Sequence, residues 1–294
     1  MTNERRLIVN GDDFGLTPGI NAGIVDAHRD GILTSASVFA NAPATAEALA
    51  IAKRMPTLAV GCHLALVDAE PLSPPSTIAS LVCDGRLRPT WGSFITAALA
   101  RRISLADVER ELSAQIERVI SSGVHPSHLD AHKHVHAYPP VFDVVVRLAK
   151  RFAIPRVRVP WEQPAIGLMR RFASVPGARR QAAENLALSW WARRDIASAE
   201  AAGLRVPRFA GRVLTGVFTE ATFAAQLSNL PPGVTELMMH PGYVDSTLDR
   251  VRTRLRHERA HEVALLTATA TWDAIARAGI TLVWNESERR SHAS

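Results

Sequence analysis

Two cysteines, two tyrosines and three lysines are all that the 294 residues contain of those types. Cys62 and Cys83 cannot build a disulfide framework, which excludes the small cross-linked secreted scaffolds and points to a reducing, cytoplasmic setting. Long hydrophobic runs are missing too. The polar start from Met1 to Arg6 leads into Leu7-Ile8-Val9, too short for a signal h-region or a membrane span. No Gly/Ser-rich or Pro-rich linker and no internal repeat divides the chain, so one domain over 1–294 is expected. A Gly-x-Ser-x-Gly elbow is absent, which argues against a serine hydrolase. RNP, zinc-finger and basic-zipper patterns are absent as well, so nucleic acid is not an expected partner.

What is present is 47% hydrophobic residues, enough for a sizeable core, and a net charge of +6 carried almost wholly by arginine. A basic surface suits nucleic acid, anionic lipid or a phosphorylated substrate, although arginine bias across a whole chain also follows from genome composition. Short β-branched runs alternate with longer amphipathic stretches, which predicts β/α units around a parallel sheet. Strands are expected at Arg6–Asn10, Ser35–Asn41, Leu58–Leu66, Pro126–His132, Arg156–Val159, Thr235–His240 and Thr281–Asn285. Helices are expected at Thr17–Asp30, Ala44–Arg54, Leu105–Ser121, Pro140–Phe152, Thr222–Asn229 and Leu255–Ala278. Thr17-Pro18 opens the first helix as N-cap and N1, and Gly31 closes it.

From about 160 to 211 the alternation breaks. This stretch holds Met169-Arg170-Arg171, Arg179-Arg180, Trp190-Trp191 and Arg193-Arg194 among Leu186, Leu188 and alanines. It reads as one or two amphipathic helices inserted as a cap. Tryptophans flanked by arginines suit a membrane interface or a lipid-like ligand, and equally a helix packing its tryptophans onto the barrel.

Polar clusters fall at predicted strand ends. Asp12-Asp13, His63, His132 and His240 each sit at or just past the C-terminal end of a strand, where a β/α barrel builds its active site. Five histidines crowd into His125–His136. On a strand, Asp130, His132, His134 and His136 would share one face while Lys133 points away. Residues four apart on a strand are about 13 Å apart and ligands sit about 2 Å from a metal, so only one or two of these side chains can hold one ion. In Gly11-Asp12-Asp13-Phe14-Gly15, two adjacent carboxylates repel, so one is expected on a cation and the other as a proton acceptor. Asp-Phe-Gly also occurs in protein kinases, but their glycine loop and catalytic loop are missing here. In Gly61-Cys62-His63-Leu64 the neighbours face opposite sides, so they form no Cys–His dyad. His63 is assigned to the site and Cys62 to packing. In His240-Pro241-Gly242-Tyr243 an imidazole at a strand end can donate a proton to a leaving group.

Together, Asn10-Gly11-Asp12-Asp13-Phe14-Gly15, Gly61-Cys62-His63-Leu64, the run from His128 to His136 and His240-Pro241-Gly242-Tyr243 resemble the motifs of the YdjC-like carbohydrate deacetylases. The resemblance implies a distorted (β/α) TIM-like barrel that removes acetyl from N-acetylated amino sugars with one divalent metal ion. It implies Asp13, His63 and His132 as metal ligands, Asp12 as base and His240 as assisting acid, with His134 or His136 as alternatives for the acid. Asp130, His134, His136 and Tyr243 are assigned to substrate contact or to supporting the ligands. Zinc or magnesium is expected, with manganese or cobalt as alternatives. Within the family the chain is most similar to the branch associated with hopanoid biosynthesis. That implies an N-acetylglucosaminyl hopanoid substrate and a peripheral contact with the inner membrane face; soluble chitooligosaccharides and a homodimer are also among the expectations. Gly11 replaces an alanine that the family more often has. Arg259 and Glu262 fall in a helix the family shares and are given no catalytic duty.

Three other readings compete. His257-Glu258-Arg259-Ala260-His261 matches the zincin motif, but Arg252, Arg254, Arg256 and Arg259 surround it with positive charge, which makes an exposed polar helix face the better reading. A phosphoesterase on a similar barrel would use the arginines for phosphate and more than one metal. A lipid- or sugar-binding protein would keep the polar cluster without chemistry.

Overall fold

The computed structural model describes residues 4–163, 175 and 177–284. Met169-Arg170-Arg171 and Asn285 therefore lie outside the described residues. The chain opens with β1 (Arg5–Phe14), α1 (Pro18–Arg29), β2 (Ser35–Phe39), α2 (Thr45–Arg54) and β3 (Ala59–Leu64). A small hairpin, β4 (Val82–Cys83) and β5 (Arg86–Leu87), precedes α3 (Trp91–Leu99) and α4 (Leu105–Ser121). Then come β6 (Leu129–Ala131), α5 (Pro139–Arg151), α6 (Ala178–Ala201), β7 (Arg208–Ala210), α7 (Glu220–Ser228) and β8 (Gly233–Met239). The last elements are α8 (His257–Thr267), α9 (Thr269–Arg277) and β9 (Ile280–Leu282).

The main strands pair in parallel in the order β6-β3-β2-β1-β8-β7, with β9 beside the start of β1. Parallel strands covered on both faces need apolar residues at every position. Leu7, Ile8 and Val9 meet that need with no exposed surface. Residues 156–162 join the two edges through single bridges, Leu129 with Val157 and Glu162 with Phe209. The sheet thus curls into a distorted barrel, as expected. Thr17 caps α1 by accepting the Ile20 N–H, with Pro18 following it. Gly61 makes room for a buried imidazole, since a Cβ there would come within 2.3 Å of His128. Among the described residues no helix is long and apolar enough to cross a membrane.

Departures from the sequence expectation are local. Arg156–Val159 is extended but makes only isolated bridges. Helix Leu255–Ala278 is two helices, α8 and α9, separated at the extended Ala268. The hairpin, α3 and β7 were not anticipated; β7 is short and follows directly on the inserted region. The most consequential correction concerns the histidine run. β6 stops at Ala131, and residues 132–137 form a tight turn in which Lys133 and His134 take left-handed φ of 52° and 54°. Strand alternation therefore does not carry Asp130, His132, His134 and His136 along one face.

Candidate active site

Neighbours on a regular strand point to opposite faces, yet Asp12 and Asp13 both reach one cleft. The β1–β2 register slips between Gly11 and Phe14, and Asp13 takes φ 70°. Such a backbone costs about 1–3 kcal/mol. The bulge turns both carboxylates to the barrel mouth.

His63 ends β3 and His132 follows β6. Asp13 Oδ1 lies 3.6 Å from His63 Nε2 and 3.4 Å from His132 Nδ1. One donor atom from each of the three residues lies within 4.8 Å of the other two. Phe39 packs against both imidazoles, with ring centroids at 4.9 and 5.0 Å. The other side of His63 is fixed, because Nδ1 sits 2.9 Å from Asp130 Oδ1. Asp130 Oδ2 in turn accepts from Ser37 Oγ and Arg158 Nη1, both at 2.8 Å. A second acidic group, Asp12, His63 and Asp130, is equally compact. Its Asp130 oxygens are already bonded as described, and Asp12 is forked by an arginine. Asp13 Oδ1, His63 Nε2 and His132 Nδ1 are the donors left to converge on a cation.

Arg158 is the hub beneath them. Its Nη1 and Nη2 fork Asp12 at 2.7 and 2.8 Å, and its Nε reaches Glu236 Oε1 at 2.6 Å. Asn10 Nδ2 adds a bond to Asp12 Oδ1 at 2.8 Å. Arg259, also fully buried, donates from Nη2 to Asp13 Oδ2 at 2.5 Å. Asp12, Asp13, Asp130 and Glu236 set four carboxylates against these two guanidiniums. Such an excess buried away from water is costly unless matched. A divalent cation has the charge that matches it.

Burial would raise the Asp13 carboxyl, but Arg259 and His132 hold it well below the usual range. Burial acts likewise on Asp130, and Arg158 with His63 outweighs it. For His63, burial lowers the pKa, yet the Asp130 carboxylate and its neighbours lift it to about 9. His240 is different: burial pushes it down to about 4 despite Asp12 and Asp13. Its backbone N–H is held at 2.5 Å by Glu262 Oε2, whose carboxyl burial raises to about 7.

Asp12, Asp13, His63, His132, His134 and His240 all line a single cleft of about 960 Å³. His136 does not. It is buried, stacks on Phe142 and places Nε2 2.8 Å from the Arg158 carbonyl. Tyr243 also stands apart, donating its hydroxyl to Asp26 Oδ2 at 2.8 Å. The inserted helix α6 walls the cleft with Gln181, Glu184, Leu188 and Trp191, and the loop 251–256 joins it there, Arg254 Nη2 donating to Gln181 Oε1 at 3.3 Å. In the zincin-like run, His257 is exposed and His261 Nε2 is 3.0 Å from the Phe218 carbonyl, so the pair faces no common ligand. The surprise in that helix is Arg259. The run that holds it was expected to be an exposed polar face, and neither it nor Glu262 was given a catalytic duty, but both are 1% exposed and touch the site. Their signal was present: with Val263 and Leu266 they share the buried, helix-spaced face of α8. Arg158 was missed as well, because Arg alternating with Val in Arg156-Val157-Arg158-Val159 reads as a polar outer face; the lone Glu236 in an apolar strand was the one sign that a buried cation must meet it.

Comparison with known proteins finds relatives along nearly the whole chain. The family described as YdjC-like protein matches residues 6–277. A carbohydrate deacetylase of Geobacillus stearothermophilus is 33% identical over 284 residues, 95% of this chain and 96% of that protein. A chitooligosaccharide deacetylase of Klebsiella pneumoniae strain 342 is 32% identical over 281 residues, 95% and 97% of the two chains. Among solved structures, a candidate cellobiose-phosphate cleavage protein from Enterococcus faecalis V583 superposes with TM-score 0.77 at 26% identity, covering 95% of this chain and 97% of its own.

Proposed function

The chain belongs to the YdjC-like family, and from that premise we propose that it is a metal-dependent N-deacetylase of an N-acetylated amino sugar, with an N-acetylglucosaminyl hopanoid lipid as its substrate. Water adds across the amide, and free amine and acetate leave. The observation that carries the reading is the convergence of Asp13 Oδ1, His63 Nε2 and His132 Nδ1 within 4.8 Å, with the second carboxylate of the pair, Asp12, in the same cleft. One carboxylate and two imidazoles suit zinc and tolerate magnesium, manganese or cobalt. When bound there, a divalent ion supplies Lewis acidity toward the acetyl oxygen and the attacking water.

The protein's own groups do the rest. Asp130 aims His63 by holding its Nδ1, the carboxylate–histidine arrangement that fixes a ligand's ring and tautomer. Arg259 occupies Asp13 Oδ2, leaving Oδ1 to the cation. Asp12 is the base: Arg158 fixes its plane, and Oδ2, which among the described residues accepts from Arg158 Nη1 alone, keeps room to take a proton from water. His240, with a pKa pushed down to about 4, starts neutral at neutral pH. It therefore gives a proton to the departing amine only after gaining one during turnover. The single set of free donors favours this chemistry over a phosphoesterase built on several ions.

The test is a mass-spectrometric assay offering N-acetylglucosaminyl hopanoid and N,N'-diacetylchitobiose, each with and without chelator. Chelator-sensitive loss of acetyl from the lipid alone supports the full proposal. Loss from chitobiose alone keeps the chemistry and discards the lipid. Cleavage of neither by metal-loaded protein overturns the reading.

A further inference from the structure

Helix α6 is amphipathic in the wrong sense for a simple cap. Its fully buried side is formed by Gln181, Asn185, Leu188, Ala192, Asp195 and Ala199, polar or small except for one leucine, with Trp191 and Ile196 half-buried at its borders. Roughly opposite, at the same helical spacing, run Arg179, Ala183, Leu186, Trp190, Arg193 and Ala197, all exposed. Trp190 is 86% exposed and Leu186 64%. Its neighbour Trp191 shows that an inward seat exists, since that ring packs edge-on against Tyr138 at 5.8 Å. Scattered surface apolar residues are ordinary. An i, i+4 pair of leucine and tryptophan, bracketed by arginines in a stripe without a carboxylate, is not scattered.

We propose that this stripe docks α6 onto the surface of an anionic lipid bilayer, with Leu186 and Trp190 entering the headgroup boundary. Two observations select this occupant. The first is charge: Arg179 and Arg193 flank the apolar pair and the chain carries +6, which favours an anionic surface. The second is area. Two large side chains from each of two copies would bury at most about 800 Å², whereas a stable protein interface needs about 1,200–2,000 Å². The other side of the same helix walls the cleft, so a docked bilayer would lie about one helix diameter, roughly 10 Å, from the cleft that holds the catalytic groups. The identity of the headgroup delivered rests on the deacetylase reading; the docking itself does not.

The experiment is co-sedimentation of the full, metal-loaded chain with vesicles of phosphatidylcholine, alone or with about one third phosphatidylglycerol. Wild type is compared with the double variant Leu186→Ser, Trp190→Ser, whose side chains touch neither cleft nor core. Wild type is expected to bind the anionic vesicles, to shift its tryptophan emission to the blue on binding, and to release as the Debye length shrinks to about 3 Å in about 1 M salt. The double variant should bind at least about tenfold more weakly. Equal binding by both proteins, or none by wild type, overturns docking. So does a wild-type dimer that the double variant dissolves, which would give the stripe to a second copy. Deacetylation of N,N'-diacetylchitobiose, followed on the same samples, separates the two proposals. If vesicle binding behaves as expected and no acetyl is lost from any substrate, docking stands and the activity reading falls.

Discussion

Replacing Arg158 with methionine is the sharpest test of how the site is held. The guanidinium answers four carboxylate oxygens on Asp12, Asp130 and Glu236 at 2.6–2.8 Å, and all four side chains are buried. Methionine fills much of the volume but leaves those carboxylates without their shared counter-charge. Breaking a buried ion pair from one side costs about 3–5 kcal/mol. Against a total stability of about 5–15 kcal/mol that is a large share. For a chain of this size it corresponds to a fall in Tm of roughly 5–8 °C. The pH dependence carries the signature. In wild type the Asp130 carboxyl is depressed, with burial outweighed by Arg158 and His63. Its contribution is therefore complete above the unfolded value of about 3.9 and is lost as pH falls through the lower folded value. In the variant burial dominates at Asp130, its carboxyl rises, and protonation relieves the strain. Circular-dichroism melts of metal-free protein at about pH 7.5 and about pH 5 should show a wide gap that narrows on acidification. Equal melts at neutral pH, or a gap that widens in acid, would refute the hub.

Asp12→Asn should cut turnover at least about 100-fold while leaving metal content, measured by plasma mass spectrometry, near wild type; loss of metal instead would mean the two aspartates have exchanged roles. Asp130→Asn should weaken metal affinity about 10–100-fold in a chelator competition, because His63 loses the carboxylate that aims it; unchanged affinity would sink that assignment. His136, pushed down to about 4 by burial, stays neutral in the fold where the unfolded chain takes up a proton. Its stabilisation is complete above about 6.5 and lost as pH falls toward about 4, worth about 3 kcal/mol at the limit. His136→Leu should flatten that part of the stability profile, and an unchanged slope in urea titrations would count against it.

The barrel and the strand-end clustering were legible because both follow from patterns of sequence spacing. Leu7-Ile8-Val9 announces a buried strand, and Asp12-Asp13, His63, His132 and His240 stand where such strands stop. What was not legible depends on long-range partners or on backbone bends. Nothing in Asp130-Ala131-His132-Lys133 says that two left-handed residues follow, so alternation misplaced His134 and His136. Asp12 and Asp13 share a cleft only through a bulge that spacing does not encode. Arg158 and Arg259 looked like surface charge because their partners lie 146 and 246 residues away. For Arg259 the buried-face spacing of its helix was the one local hint.

That last separation has a consequence for how the protein comes into being. Asp13 is among the first site residues to leave the ribosome, and Arg259, which holds its Oδ2, is among the last. Strands β1, β3 and β6 can emerge and pair long before α8 exists. Until then Asp13 lacks its guanidinium and His240 lacks the Glu262 carboxylate on its backbone. A nascent chain of the first two hundred residues would carry all three converging donors and still be an unfinished site. If the three donors hold a cation as proposed, its tight capture would mark completed synthesis.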